Sequence, residues 1–157
     1  MCRPFDDIIK RQSARVFRLL FSFVKNREDA QDLMQDVFLR YFERPVSFET
    51  EEHERAWFLK VAANTAKSHL RKAALRRHED VDELPLSAPE TDPCLRLTVT
   101  SAVAALPAKQ RICVHLFYYE NLKQNEIAAI LSCPVSTVKS HLRRAKAALL
   151  ETLGGTL

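Results

Sequence analysis

Apolar positions recur along most of this 157-residue chain at the three-and-four spacing of helices, and nowhere in an alternating run long enough for a useful strand. Residues 5–24 read as a first helix, with Ile9, Val16, Leu20 and Phe23 on one side and Phe17 and Phe21 widening that side. Asn26-Arg27-Glu28-Asp29 then has the form of a helix start, the Asn side chain capping and the two acids facing the positive end of the dipole. The helix it opens places Ala30, Leu33, Met34, Val37, Phe38 and Tyr41 on one stripe. Pro45 to Glu54 lacks periodicity and reads as a loop, and Glu54 to Arg77 as a long helix burying Trp57, Phe58, Val61, Ala62 and Thr65. After an aperiodic stretch, Thr98 to Leu106 turns Val99, Val103 and Leu106 inward. Pro107 starts Ala108–Tyr119, with Ile112, Leu116 and Tyr119 inside. A short helix follows on Ile127, Ile130 and Leu131, broken by Ser132-Cys133-Pro134. Ser136 suits the N-cap of a last helix whose inner face is Val138, Leu142, Ala145 and Leu149.

The pattern predicts an all-α protein of two small helical domains, residues 1–77 and 97–157, joined by an acidic, proline-containing linker at 78–96. Composition agrees: only two glycines occur, both in the tail, and 46% of residues are hydrophobic, enough for two small cores. The linker carries Glu79, Asp80, Asp82, Glu83, Glu90 and Asp92 with Pro85, Pro89 and Pro93, a composition that extends rather than packs.

Charge changes the picture more by placement than by its net value of +4. Seven basic residues and no acid lie between Arg55 and Arg77, and Lys139, Arg143, Arg144 and Lys146 follow one another on the outer face of the last helix, again without an acid. Two separated basic surfaces imply a polyanion contacted in two places. Within the first, Lys60, Asn64, Lys67 and Arg71 fall at i, i+4, i+7 and i+11. The cations there would neutralise phosphates, and an Asn amide carries both the donor and the acceptor needed to read a base edge. A short helix, a tight turn and a basic amphipathic helix together have the layout of a helix-turn-helix, whose second helix lies in a major groove. Phe48, the one large apolar side chain of its loop, either packs back on the core or offers a face on which a base stacks. On the outer side of the second helix, Asp32, Gln35, Asp36, Leu39 and Arg40 mix acid with exposed apolar surface, as a protein-docking face does.

No enzyme is implied. The chain shows no nucleophile–base pair, no glycine-rich phosphate loop and no metal motif, so no cofactor, metal or small-molecule substrate is expected. Cys2, Cys94, Cys113 and Cys133 lack CxxC spacing and fit reduced thiols. Asp6 and Asp7 stand where the apolar core of a leader would be, and Leu19–Val24 is too short to cross a bilayer. A cytoplasmic protein without direct membrane insertion is therefore expected.

The literal strings say more than the spacing. LPAKQR (Leu106–Arg111), EIAAIL (Glu126–Leu131) and VSTVKSHLRRAKAAL (Val135–Leu149) resemble region 4 of sigma-70-type RNA polymerase sigma factors, particularly the extracytoplasmic-function group. LuxR-type regulators carry a similar helix pair, but DAQDLMQDVFLRYF (Asp29–Phe42) and RAWFLKVAANTAKSHLRK (Arg55–Lys72) resemble region 2 of the same sigma group, which those regulators lack. The resemblance implies a dissociable promoter-specificity subunit of bacterial RNA polymerase. Its region 2 would dock on the clamp helices of polymerase core through Asp32, Gln35, Asp36, Leu39 and Arg40. Phe48 and Asn64 would line a pocket for an unstacked −10 base, with Lys60, Lys67 and Arg71 along the strand. Region 4 would dock on the flap and read the −35 element with Lys139, Ser140, Arg143, Arg144 and Lys146, while Ser136 and Thr137 meet phosphates. An anti-sigma factor is implied as a further partner. Two departures stand out: Ser132 occupies a turn position where glycine is usual, followed by Cys133-Pro134, and Glu49, Glu51, Glu52 and Glu54 make the loop after Phe48 unusually acidic. Rival readings are a stand-alone helix-turn-helix regulator, which would bind duplex unaided, and a helical adaptor, which would bind no nucleic acid.

Overall fold

A computed structural model describes residues 4–76 and 99–154. The linker, Arg77, Cys2 and Cys94 lie outside the described residues. Those described are helical apart from short turns, and fall into two compact units, one within Met1–Pro85 and one within Leu86–Leu157.

The first unit is three helices: α1 (Pro4–Val24), α2 (Arg27–Glu43) and α3 (Glu51–Arg76). The buried stripe of α1 runs through Ile8, Gln12, Val16, Leu19, Leu20 and Phe23. It is rotated from the expected one: Ile8 rather than Ile9 goes fully inside, and Phe21 is exposed. Phe17 and Phe21 instead stack on each other at 6.1 Å on the flank of the helix, one residue off the stripe. Lys25 closes α1 in the left-handed region at φ 52°, its N–H donating to the Phe21 carbonyl at 2.8 Å. Asn26 then caps α2 as its sequence suggests, the side-chain oxygen accepting from Asp29 N–H at 3.1 Å. Ala30, Leu33, Val37 and Tyr41 are buried from α2.

The structure starts α3 three residues earlier than the sequence reading does. Thr50 is the reason: its hydroxyl oxygen accepts from His53 N–H at 3.0 Å and its carbonyl from Glu54 N–H at 3.1 Å. Glu51, Glu52 and Glu54 therefore belong to the first helical turn, where carboxylates meet the positive end of the dipole. Phe58, fully buried, is the centre of the unit, with Phe38 at 5.5 Å, Tyr41 at 5.4 Å and Trp57 at 4.9 Å between ring centroids. Burying a ring of that size contributes roughly 2–3 kcal/mol.

The second unit comprises α4 (Val99–Ala104), α5 (Ala108–Val114), a π-helical turn (His115–Tyr119), α6 (Gln124–Leu131) and α7 (Val135–Leu153). Leu106, Val114 and Ala145 are buried together, flanked by Val103, Leu142, Ala148 and Leu149. Val99, expected inside, is exposed, because the first turn of this six-residue helix has nothing over it among the described residues. Pro107 caps α5 with extended backbone, and buried Arg111 reaches back to donate to the Leu106 carbonyl at 2.9 Å. That bond ties the chain entering α5 to the helix itself, and burial lowers the guanidinium pKa to about 10.

Tyr119 is a second correction. The i→i+5 bond from Glu120 N–H to the His115 carbonyl widens the last turn after α5, so Tyr119 swings off the Ile112–Leu116 face. It is exposed and stacks on His115 at 5.2 Å. Glu126 anchors the start of α6, its carboxylate accepting from Lys123 N–H at 2.9 Å. The turn into α7 keeps a left-handed residue without glycine: Ser132 has φ 56° and ψ 48°, and Cys133 N–H reaches the Ala128 carbonyl at 3.1 Å. Ser136 is not the cap of α7. Pro134 holds that position, its carbonyl accepting from Thr137 N–H at 3.0 Å, because a proline with ψ near 150° presents its carbonyl to the new helix without needing an N–H of its own.

Candidate functional site

Two helices present positive outer faces. On α3, the apolar positions Phe58, Leu59, Ala62, Ala63 and Ala66 are buried, which forces Lys60, Asn64 and Arg71 outward. Lys67 is half-buried on the same side and engaged with its surroundings. From Lys60 to Arg71 the stripe runs about 16 Å along the helix axis. On α7, burial of Val138 and Ala145 with half-burial of Leu142 and Leu149 leaves Ser136, Lys139, Arg143, Arg144 and Lys146 exposed, and Thr137 and Ser140 half-buried. The left-handed Ser132 and extended Pro134 set the entry of α7, so the sharp turn and the basic face come from the same short segment.

Phe48 resolves toward the packed alternative. Its ring lies parallel to Tyr41 at 6.1 Å, near Trp57 at 5.9 Å and Phe58 at 6.1 Å, and edge-on to His53 at 5.3 Å. It remains half-buried, so part of the ring still faces solvent at the mouth of this aromatic cluster. Asn64 lies further along α3 from Phe58, with its amide in solvent.

The α2 face is as the pattern places it. Asp32, Gln35, Asp36, Leu39 and Arg40 are all exposed, Leu39 to 55%. Phe42, 62% exposed, extends the apolar part, with Phe5 edge-on at 5.0 Å.

Three features escape the sequence reading. An apolar groove in the second unit is lined by Val114, Tyr118, Leu142, Lys146, Leu149 and Leu150. Leu149 and Leu150 side by side at the end of an amphipathic helix were its only signal. His141 on α7 has its pKa held below 6.5 by burial and by the positive charge of Lys109 and Arg144, which puts Lys109 on the same basic side. The third is Glu54. Only 7% exposed, it accepts from Arg11 Nε at 3.1 Å, Arg11 Nη2 at 3.0 Å and Gln12 Nε2 at 2.8 Å. Burial pushes its carboxyl up, but those bonds and the charges of Arg11 and Arg15 outweigh it, and the pKa falls below 4.5.

No group of His, Cys, Asp and Glu that could hold a metal occurs among the described residues, and none of their helices is long and apolar enough to cross a membrane. Cys113 and Cys133 are free thiols; burial and the nearby Cys133 push Cys113 up to about 12, far from a reactive thiolate.

Known proteins fit the two units in order. The sigma-70 region 2 family matches residues 8–76, and the sigma-70 region 4 family residues 96–149. RNA polymerase sigma factor SigV of Bacillus subtilis is 32% identical over 130 residues, covering 82% of this chain and 78% of that protein. RNA polymerase sigma-H factor of Pseudomonas aeruginosa is 29% identical, over 96% of this chain and 86% of its own. The ECF RNA polymerase sigma-E factor of Escherichia coli is 29% identical, over 94% and 85%. Among solved structures, the sigma factor RpoE of Bartonella quintana, in complex with the anti-sigma factor NepR, has a TM-score of 0.74 at 24% identity and covers 98% of each chain. CnrH in complex with the cytosolic domain of CnrY gives 0.63 at 23%, over 96% of this chain and 88% of that one. At these identities the two structures speak for the fold.

Proposed function

Because the chain belongs to the sigma-70 family, in its extracytoplasmic-function group, and so is a dissociable sigma factor of RNA polymerase, we propose how its residues divide the work of starting transcription. Residues 1–77 hold core polymerase and the −10 element, 97–157 the −35 element, and 78–96 tether them. A region 2 match over 8–76 leaves the stand-alone regulator reading unfavoured.

The observation that carries the −35 assignment is α7: an outer face that is basic and free of acid from Ser136 to Lys146, over a buried stripe, entered through a sharp left-handed turn. Lys139, Ser140, Arg143 and Arg144, on its first turns, read base edges in the major groove, where N-terminal residues of a recognition helix reach. Ser136 and Thr137 contact phosphate, and Lys146 completes the basic stripe on the backbone. The apolar groove beside α7 takes the polymerase flap.

At the −10 element an unstacked base is held at a cost of a few kcal/mol. Asn64 reads its edge, and Lys60, Lys67 and Arg71 hold the strand by phosphate contacts. Phe48 contributes its solvent-facing ring portion as one wall of the pocket, the packed Tyr41–Trp57–Phe58 cluster behind it keeping that wall rigid. Of the four acids after Phe48, Glu54 is buried and paired with Arg11 while Glu49, Glu51 and Glu52 stay exposed, so packing offsets the segment's acidity only in part. Asp32, Gln35, Asp36, Leu39 and Arg40 dock on the clamp helices. An anti-sigma factor covers the same exposed apolar surfaces when the protein is held inactive. The chain contributes binding, and the phosphoryl transfer is the polymerase's.

Permanganate footprinting of a promoter duplex, with polymerase core and this protein added separately and together, tests the reading. Thymines near −10 become reactive only with both present. Tight sequence-specific binding without core, and no opening with it, overturns it.

A further inference from the structure

We infer that Glu54 is a positioning residue for strand opening: its bonds to the half-exposed Arg11 and the buried Gln12 fix where α3 begins, and thereby where Phe48 is held. The inference rests on the −10 reading above. Three donors converge on one carboxylate from neighbouring positions on α1, and Arg15 Nη1 donates to Gln12 Oε1 at 3.0 Å, which orients the Gln12 amide toward Glu54. Gln12 is 3% exposed and Glu54 7%, so the carboxylate and the amide are inside the unit while the Arg11 side chain closes over them from the half-exposed rim.

Apolar residues at the same places would hold α1 against α3 without the cost of desolvating a charge. Apolar contact is non-directional, however, and tolerates small shifts of one helix along another. A carboxylate gripped by a guanidinium fork and an amide has fixed bond directions and one register. The place where register matters is this end of α3. Phe48 stands two residues before the Thr50 cap, and the cap bonds lie within the same turn as Glu54, so a slip of that turn moves the ring. Further along, from Phe58 to Ala74, the helix is held chiefly by its buried apolar face, with His69 Nε2 lying 3.8 Å from Asp29 Oδ2 of α2. The α2 face assigned to the clamp helices shares none of these bonds, so the two activities of the unit are separable.

The test compares wild type, Glu54→Gln, Glu54→Ala and the charge-reversed pair Arg11→Glu/Glu54→Arg in holoenzyme. Core affinity is read by competition, thymine reactivity at saturating holoenzyme on duplex promoter, capture of a single-stranded −10 oligonucleotide by fluorescence, and folding by thermal unfolding of the full chain. Glu54→Gln keeps the size and one amide-compatible bond, and serves if Glu54→Ala unfolds. The expected result is core affinity within about twofold of wild type, with opening and oligonucleotide capture both down by about tenfold and restored by the reversed pair. Normal opening by the single variants overturns the inference. So does a loss matched by an equal loss of core affinity, or a reversed pair no better than Glu54→Ala. Opening by wild type in the same reactions keeps the sigma function standing whichever way Glu54 falls.

Discussion

Replacing Lys146 by Gln and Arg143 by Ala separates phosphate contact from base reading on α7. From Lys139 to Lys146 the helix rises about 10 Å, about three base-pair steps of 3.4 Å, so its four exposed cations cannot all face base edges. Lys146, beyond the turns that reach the groove floor, is assigned to the backbone. Each phosphate neutralised adds about 0.9 to the slope of log K against log salt. Its loss lowers that slope by about 0.9, so the affinity defect shrinks by about 3.5-fold between 50 and 200 mM salt. The Gln side chain keeps two of the four methylenes by which Lys146 lines the apolar groove, so part of that apolar contact is retained. With Arg143 assigned to a base edge, Arg143→Ala should cost about 1–3 kcal/mol and relax one promoter position with little change in slope. Holoenzyme titrated with labelled −35 duplexes, cognate and singly substituted, at a series of salt concentrations reads both quantities. If Lys146→Gln leaves the slope unchanged and its defect follows the DNA sequence, the assignment is inverted. If neither variant alters binding, α7 does not enter the groove.

Arg111→Met removes the buried bond to the Leu106 carbonyl and should cost about 1–3 kcal/mol, read as an earlier urea transition of the full chain. Ser132→Gly relieves a left-handed conformation costing about 1–2 kcal/mol, against about 0.5–1 kcal/mol of extra unfolded-chain entropy. The expected result is a later urea midpoint with promoter opening retained; an earlier midpoint refutes the strain argument. His141 has a lowered pKa when folded, so the folded state favours its neutral form. Its contribution is full above 6.5 and is lost as pH falls through that value toward the lower folded pKa, so His141→Asn should flatten the urea midpoint between pH 7.5 and 5.5.

What the sequence made legible is what repeats locally. The stripes of α2, α3 and α7 each recur over several turns, so their buried faces and the cations opposite them follow from spacing alone. Asn26 is legible for the same reason, since an N-cap bond closes within three residues. Misreadings fall where a single short element decides. Tyr119 has the spacing of a core residue on an α-helix, but the π turn beneath it changes the rotation per residue, and nothing in HLFYY announces that. Ser136 is a good capping residue by type, but Pro134 two positions earlier has already supplied the carbonyl that starts α7.

Glu54 shows why the site was less legible than the fold. A carboxylate in the first turn of a helix is favoured by the dipole whether it points to water or to another helix. In sequence it is one of four acids after Phe48, which leave open which −10 bases this segment meets. In the folded unit they separate: Glu49, Glu51 and Glu52 stay in solvent around the helix start, while Glu54 is neutralised by Arg11, 43 residues away. Charge that looks repulsive when counted along the chain is thus partly cancelled inside the protein, while Glu49, Glu51 and Glu52 stay exposed beside Phe48 and the cations Lys60, Lys67 and Arg71 lie further along α3. A segment's suitability for a polyanion therefore depends on which charges remain exposed after packing.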